Sequence, residues 1–99
     1  MFFISIFYMI NLDKIPSSPG CYIYKDKDGN IIYIGKAKNL KKRVSSYFLN
    51  KDQGAKTTAL VSNIFSVDFI VTNNELEAFI LENTLIKKHQ PKYNIDLKN

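Results

Sequence analysis

The sequence is poor in several residue types, and each shortage excludes a class of structure. Cysteine occurs once, as Cys21, so neither an intrachain disulfide nor a cysteine-rich zinc site can form. Four glycines and three prolines leave no room for a low-complexity linker. His89 is the single histidine, and we interpret it as a surface or capping residue near a helix end rather than a ligand. The cysteine usage suits a reducing compartment, so we expect a cytoplasmic protein.

Long apolar runs are also missing, apart from the first ten residues, MFFISIFYMI. That run is shorter than the roughly 20 residues that span a bilayer, and it lacks the basic residues of a signal peptide. We interpret residues 1–11 as an apolar N-terminal extension, which is either an extra strand or a segment before a second start at Met9. Residues 12–99 form one predicted domain, which we expect to be monomeric.

Positive charge is the main excess in this sequence. Fourteen Lys and Arg stand against nine Asp and Glu, which gives a formal net charge of +5. Most of these cations lie within residues 25–51 and 87–98. This balance suits a polyanionic partner, either nucleic acid or an anionic membrane surface. The apolar first segment has no flanking cations, so we expect a DNA partner and no membrane association.

The hydrophobic periodicity predicts an α+β fold in two layers, with a small mixed sheet packed against about three helices. The segment DKDGN, with Asp28-Gly29, predicts a hairpin turn. Asn73 or Asn74 is a candidate cap for the longest helix, and Pro91 would end it. The predicted strands are 21–24, 31–34 and 67–72, the predicted helices 36–48, 57–65 and 75–89, and the tail 92–99 a short edge strand.

Hairpin geometry gathers tyrosines on one face of the predicted sheet. With Asp28-Gly29 as the loop, Tyr24 lies opposite Tyr33, and Tyr22 lies opposite Gly35. Because Gly35 has no side chain, it leaves room above the Tyr22 phenol. The same spacing also suits a cross-strand aromatic pair that only packs.

Cations follow the tyrosine strand directly. We predict that Lys36 begins a helix and shares one flank of it with Asn39 and Arg43, and that free N–H groups at the helix start add to anion binding. The alternative is a solvated basic face. For the remaining cations of this helix we expect only general phosphate attraction or solvation; these are Lys38, Lys41 and Lys42.

Glu82 is the most informative single residue. Projected at 100° per residue, it lies away from the polar side of its helix and among Ala78, Leu85 and Ile86. A carboxylate among apolar neighbours is costly unless it is paired, hydrogen-bonded or bound to a metal. A buried salt bridge is the alternative to a metal site.

Two separated stretches carry a family resemblance. Gly20-Cys21-Tyr22 and Tyr33-Ile34-Gly35 resemble the paired motif of the GIY-YIG nuclease family. The stretches YIGKAKNLKKRVSSYF and EAFILENTLIKKHQPKYNIDLK resemble most closely the amino-terminal domain of the UvrC-type excinucleases, a branch of that family. The likeness covers about residues 12–99. Cys21 replaces the Ile or Val that is usual in this branch, whose proteins continue into further segments that do not fit in 99 residues.

The resemblance implies metal-dependent hydrolysis of DNA, as the 3′ incision of nucleotide excision repair, with one Mg²⁺ or Mn²⁺ and a damage-recognition partner subunit. A tyrosine, preferably Tyr22, would act as the general base once Lys36 or the metal lowers its pKa. A noncatalytic DNA-binding module is the alternative. The family's site residues fall on Tyr22, Tyr33, Lys36, Arg43, Glu82 as metal ligand, and Asn94, and we expect DNA contacts from Lys38, Lys41, Lys42, Lys87 and Lys92.

Overall fold

The computed structural model describes residues 10–50 and 52–97. Within these residues three strands form one sheet in the order β2–β1–β3. The central strand pairs antiparallel with both neighbours, so the pairing is antiparallel throughout and not mixed as predicted. The strands are β1 (Gly20–Lys25), β2 (Ile31–Ala37) and β3 (Ser66–Val71).

A 3-10 turn (Leu12–Lys14) precedes the sheet, and four helices are seen in the described part of the chain. Three of them are long enough to pack on the sheet, which confirms the predicted α+β class. Among these helices none has the length and apolar character that crossing a bilayer requires. The helices are α1 (Leu40–Leu49), α2 (Ala55–Asn63), α3 (Glu75–His89) and α4 (Lys92–Leu97).

The hairpin has the predicted register. Tyr22 pairs with Gly35, and Tyr24 pairs with Tyr33. In the loop, the Asp26 carboxylate accepts hydrogen bonds from the N–H groups of residues 28 and 30. Gly29 has a φ of 83°, a left-handed conformation that glycine adopts without strain. Local turn chemistry therefore sets which side chains share a face.

The two faces of the sheet are covered by different helices. Tyr22 is buried in the core that α1 and α2 form on one face, with Val44 and Leu60 among its members. Its neighbour Cys21 points to the other face, where its Sγ–H donates to the Ala78 carbonyl oxygen of α3 at 3.2 Å. Successive strand residues point to opposite sides. Helices therefore cover both faces of the sheet, and α3 packs on the face opposite Tyr22.

The predicted helix start at Lys36 is wrong. Strand β2 continues two residues beyond Gly35, because Lys36 and Ala37 pair with Cys21 and Gly20. Helix α1 begins at Leu40, and the Asn39 side chain caps it by accepting from the Lys42 N–H.

The free N–H groups predicted at this helix start are also not available. The Leu40 N–H donates to the Ser18 carbonyl at 2.9 Å, and the Lys41 N–H to the Pro16 carbonyl at 3.1 Å. The following two N–H groups bond to Asn39, one to its side chain and one to its carbonyl. Since these four donors already have partners, they do not form an anion site.

The predicted edge strand at the tail is a short helix instead. The Asn94 and Ile95 N–H groups both donate to the Pro91 carbonyl oxygen, which starts the turn of α4.

At the other end of the described chain, Ile10 is buried, and the Asn11 side chain accepts from the Asp13 N–H at the 3-10 turn. The interpretation of residues 1–9 as an extra strand lies outside the described residues.

Candidate active site

Four tyrosines form one cluster against the sheet. Tyr22, Tyr24, Tyr33 and Tyr47 have ring centroids 5.1 to 6.4 Å apart. The Tyr22 and Tyr47 hydroxyls share a hydrogen bond of 2.9 Å, whereas Tyr33 is only partly buried. The predicted tyrosine face therefore exists, and its partly exposed member lies at the surface of the cluster.

Gly35 makes the cluster possible. A Cβ added at this position would overlap the Cζ and the hydroxyl oxygen of Tyr22. The expectation that Gly35 leaves room for this phenol is therefore confirmed by the packing. A larger residue at position 35 must move the Tyr22 ring or the strand.

The phenols are not activated as bases by their surroundings. Burial, followed by the nearby phenols of Tyr47 and Tyr33, raises the pKa of Tyr22 well above its ordinary value. Burial also raises the pKa of Tyr33. Arg43, rather than Lys36, is the cation that lowers both pKa values, and it offsets only part of the rise. The structure thus presents neutral phenols.

Tyr47 is a site residue that the sequence reasoning missed. Its three-residue spacing from Val44 is that of an apolar core position on α1, and its ring is indeed buried. However, its hydroxyl accepts a hydrogen bond from Arg43 Nη2 at 3.2 Å, and the Arg43 guanidinium carbon lies 4.7 Å from its ring centroid. The four-residue spacing of Arg43 and Tyr47 on one helix face was the available signal.

Glu82 contacts strand β2, which carries Tyr33 and Gly35. Its Oε2 accepts a hydrogen bond from the Lys36 backbone N–H at 2.8 Å, and its side chain is half-buried. The ion pairs seen in the described part, Lys25–Asp68 and Lys41–Asp13, do not include it, so the buried salt bridge is not what the structure shows. Oε1 has no hydrogen bond among the contacts of the described residues. One carboxylate oxygen is held while the other is available.

Asn94 also bonds to strand β2. Its Oδ1 accepts from the Ile34 N–H and its Nδ2 donates to the Ile34 carbonyl, both at 2.8 Å. Ile34 and Lys36 present their backbone groups to the open edge of β2, roughly 6.6 Å apart. Asn94 and Glu82 therefore occupy successive bonding positions along this edge, on either side of Gly35.

A basic groove runs beside the cluster. It has a volume of about 680 Å³, and its lining includes Lys36, Lys38, Asn39, Lys42, Arg43 and Ser46. The other cations expected to contact DNA are not part of it. Lys41 pairs with Asp13 at 3.8 Å, Lys87 lines a separate depression on α3, and the Lys92 ammonium lies 5.4 Å from the Tyr93 ring centroid.

The donor set suits one kind of metal ion. Among residues 10–50 and 52–97, no group of three or more His, Cys, Asp or Glu side chains could enclose a cation. A single carboxylate with an available oxygen is instead typical of Mg²⁺, which keeps several waters and binds through one or two carboxylates plus substrate phosphate. Glu82 therefore fits as the ligand of such an ion, next to a groove for phosphate.

Comparisons with known proteins agree with this geometry. A family model described as the UvrC-like GIY-YIG domain matches residues 18–95. UvrABC system protein C of Methanococcus maripaludis is 66% identical over 91 residues, which cover 92% of this chain and 17% of that protein. Its namesake in Streptococcus pneumoniae strain JJA is 58% identical over 88 residues, 89% of this chain and 14% of that protein. The chain thus spans less than a fifth of the length of the curated relatives that it matches.

Solved structures of a related domain are similar to this chain over most of their length. The GIY-YIG N-terminal endonuclease domain of UvrC from Thermotoga maritima, bound to its catalytic magnesium, aligns with a TM-score of 0.74 and 46% identity. The alignment covers 83% of this chain and 89% of that one. An asparagine-to-alanine variant of the same domain, also bound to its catalytic divalent cation, aligns equally well.

Proposed function

The chain belongs to the UvrC-like GIY-YIG domain family, and we propose that it is a divalent-metal-dependent DNA endonuclease domain that hydrolyses one phosphodiester bond. The predicted family is confirmed by the match, and the predicted activity and metal are confirmed at the level of the domain by the magnesium-bound endonuclease of Thermotoga maritima. We further propose the 3′ incision of nucleotide excision repair, made in a longer protein with a damage-recognition partner subunit. A cytoplasmic location and a monomeric state remain predictions.

The arrangement of Glu82 is the observation that carries the proposal. The Lys36 N–H holds Oε2 at 2.8 Å and so fixes the direction of the carboxylate, which leaves Oε1 for a metal ion. A bound Mg²⁺ or Mn²⁺ would stabilise the charge that develops on the phosphate and make an attacking water more acidic. Lys36 lines the adjoining groove, where its positive charge would attract the substrate phosphate.

Arg43 is placed to bind a nonbridging phosphate oxygen. One of its guanidinium nitrogens donates to Tyr47, and the planar group keeps further N–H donors for the groove that it lines. A guanidinium suits phosphate because it can donate two parallel hydrogen bonds. Lys38 and Lys42 line the same groove and would track the neighbouring phosphates by charge alone.

Tyr22 is placed to exchange a proton only with help from its neighbours. Its raised pKa means that a bare tyrosinate is unfavourable in this pocket. The hydrogen bond from Arg43 to Tyr47, and the bond between the Tyr47 and Tyr22 hydroxyls, connect the phenol to a positive charge that offsets the negative charge it would gain. The partly exposed Tyr33 is the phenol placed to orient water or phosphate. Asn94 positions β2 rather than reacting.

The decisive experiment is Mn²⁺-dependent cleavage of supercoiled plasmid and of a pre-nicked lesion duplex by the wild type, Glu82→Ala and Glu82→Gln. Glutamine keeps an acceptor for the Lys36 N–H but removes the charge that a metal requires. Glu77→Gln is the matched control, because it removes one charge from the same helix and keeps an acceptor for the Asn73 N–H. We expect the wild type and the control to cleave and both Glu82 variants to be inactive.

Other outcomes would be equally informative. Equal cleavage by the wild type and both Glu82 variants would place the activity in a contaminant or at another site. Loss of cleavage in every protein, with DNA binding intact and the Thermotoga maritima domain active under the same conditions, would favour a noncatalytic DNA-binding module.

A further inference from the structure

A second depression lies on the other side of the segment that borders the basic groove. It has a volume of about 380 Å³ and is lined by Lys36 and Lys38 on one side and by Leu76, Ala78 and Phe79 of α3 on the other. Glu75 is the acidic residue in its lining. Because Lys36 and Lys38 also line the basic groove, the two depressions adjoin along that segment.

The α3 wall of this depression exposes large apolar side chains beside the proposed metal ligand. Phe79 is 46% exposed and Leu76 is 66% exposed. Phe79 precedes Glu82 by three residues, so the two side chains lie on one side of the helix about 4.5 Å apart along its axis. An exposed aromatic ring next to the proposed metal ligand is not required by the packing of the domain.

The lining combines the two chemistries of a nucleotide. Lys36 and Lys38 provide positive charge for phosphate, and Phe79 provides a flat apolar ring on which a base can stack. The volume lies in the range of about 300 to 1,000 Å³ that small-ligand sites occupy. The ion pairs seen in the described part of the chain do not join either lysine to Glu75, so both lysines remain available to a phosphate.

We propose that this depression binds a nucleotide next to the scissile phosphate, with its base stacked on Phe79 and its phosphate beside Lys36 and Lys38. The inference rests on the proposed nuclease function and adds a base-binding site to it. A base must leave the stack of the duplex to reach Phe79. This costs the least free energy where the DNA is already unpaired or distorted, so the site favours such DNA. The site would thus bias the domain towards locally opened DNA without reading its sequence.

Binding to two oligonucleotides of equal charge tests this directly. The first is a 20-nucleotide oligothymidylate, and the second is an abasic deoxyribose-phosphate chain of the same length. We compare the wild type with Phe79→Ala and Phe79→Tyr, and use Phe65→Ala as the matched control. Phe65 is 38% exposed and lies at the opposite end of the sheet, where its N–H bonds to Lys25. Circular dichroism and thermal unfolding verify the fold of each variant.

We expect Phe79→Ala to bind the thymidylate about five- to a hundred-fold more weakly than the wild type, and the abasic chain equally well. Phe79→Tyr and Phe65→Ala should match the wild type on both. An equal loss of affinity for both chains would overturn the proposal, because it would show that Phe79 supports the backbone contact or the fold. Unchanged thymidylate binding would overturn it as well, and a change in sedimentation on Phe79→Ala would then assign the surface to contact between copies.

The readout separates this proposal from the nuclease assignment. If the wild type does not cleave but Phe79→Ala still loses affinity for the thymidylate alone, the nuclease function is ruled out and the base site is supported. If the wild type cleaves and Phe79→Ala shows no loss of affinity that depends on the base, only the base site is ruled out.

Discussion

Asn94 bonds both backbone groups of Ile34, accepting from its N–H and donating to its carbonyl at 2.8 Å each. These two bonds attach α4 to the open edge of β2, immediately beside Gly35. An edge strand otherwise leaves such groups to solvent or to another chain. The position of the tyrosine and glutamate groups around Gly35 therefore depends on a residue that comes 60 positions after Ile34 in the sequence.

The first prediction concerns this bridge. Asn94→Asp keeps an acceptor for the Ile34 N–H but replaces the donor, so an oxygen faces the Ile34 carbonyl. We expect the free energy of unfolding to fall by about 1–3 kcal/mol and cleavage to slow. Repulsion between this oxygen and the Ile34 carbonyl should also displace the side chain from the Ile34 N–H, so amide hydrogen exchange at Ile34 should accelerate, which a purely chemical role of Asn94 would not cause. Asn83→Asp, the same change at an exposed position of α3, is the control. Unchanged exchange at Ile34 would contradict the positioning role.

The second prediction concerns the space above Tyr22. Gly35→Ala places a methyl group against the Tyr22 phenol, and overpacking of this kind costs about 1–3 kcal/mol. We expect lower stability in urea unfolding and strongly reduced cleavage. In a Tyr22→Leu background the same substitution should cost much less stability, while cleavage stays low. An equal cost in both backgrounds would show that the glycine is needed for another reason.

Local sequence signals predicted the hairpin well. The alternation of side chains and the Asp28-Gly29 turn fix which residues oppose each other within a few positions, and the pairs Tyr22–Gly35 and Tyr24–Tyr33 follow from them. Glu82 was found because helix projection places it away from the polar side. These features depend on spacing within one helix or across one short hairpin, which the sequence displays directly.

Tertiary relationships were not predictable in the same way. Helical spacing from residue 36 suggested an early helix start, but pairing with Cys21 and Gly20 keeps Lys36 and Ala37 extended. Tyr47 has the helical spacing of an apolar core residue, and nothing near it in the sequence indicates that its hydroxyl bonds to Tyr22, which lies 25 positions earlier on the hairpin. The alternating tail resembled a strand, yet Pro91 starts a helical turn there. For Lys36 and Tyr47 a contact between distant residues decides the outcome, whereas the local turn at Pro91 decides the tail.

A third prediction tests whether the guanidinium geometry of Arg43 is needed or whether any positive charge at this position is sufficient. Arg43→Lys keeps the charge but removes the planar fork that bonds Tyr47 and is available to phosphate. We expect cleavage to fall at least about tenfold while affinity for the abasic chain changes little. Lys42→Arg, a change of cation type at a neighbouring position in the same groove, serves as the comparison. Full activity of Arg43→Lys would show that charge alone is sufficient.

A fourth prediction uses the hydroxyl of Tyr24. Tyr24 is fully buried, and among the described residues its hydroxyl has no hydrogen-bond partner. Removing an unpaired buried hydroxyl relieves a desolvation cost, so Tyr24→Phe should raise the free energy of unfolding by about 1 kcal/mol or more and leave cleavage unchanged. Tyr22→Phe should do the opposite, because it breaks the bond to Tyr47. Destabilisation by Tyr24→Phe would show that the hydroxyl has a bonding role.

The last prediction follows from the raised pKa values of the buried acids. Burial, with a smaller contribution from Glu82, raises the pKa of the Cys21 thiol from 9.0 to about 11, and burial raises the pKa values of Tyr22 and Tyr24 above their ordinary value of 10.0. These groups stay protonated in the folded domain at a pH where the unfolded chain has released its protons. Their contribution to stability is therefore complete below about pH 9 and is lost as the pH rises towards the folded-state values.

Each such group should lower the free energy of unfolding by about 1.4 kcal/mol per pH unit once the unfolded chain ionises. Urea unfolding midpoints between about pH 8 and pH 11 would measure this loss, and the difference in absorbance at about 295 nm between the wild type and Tyr24→Phe would show whether Tyr24 ionises only on unfolding. Tyr24→Phe should flatten the decline above about pH 10, since it removes one titrating group. Folded-state tyrosinate absorbance near pH 10 that decreases in Tyr22→Phe or Tyr24→Phe would contradict the burial argument, because it would show that these two phenols ionise in place.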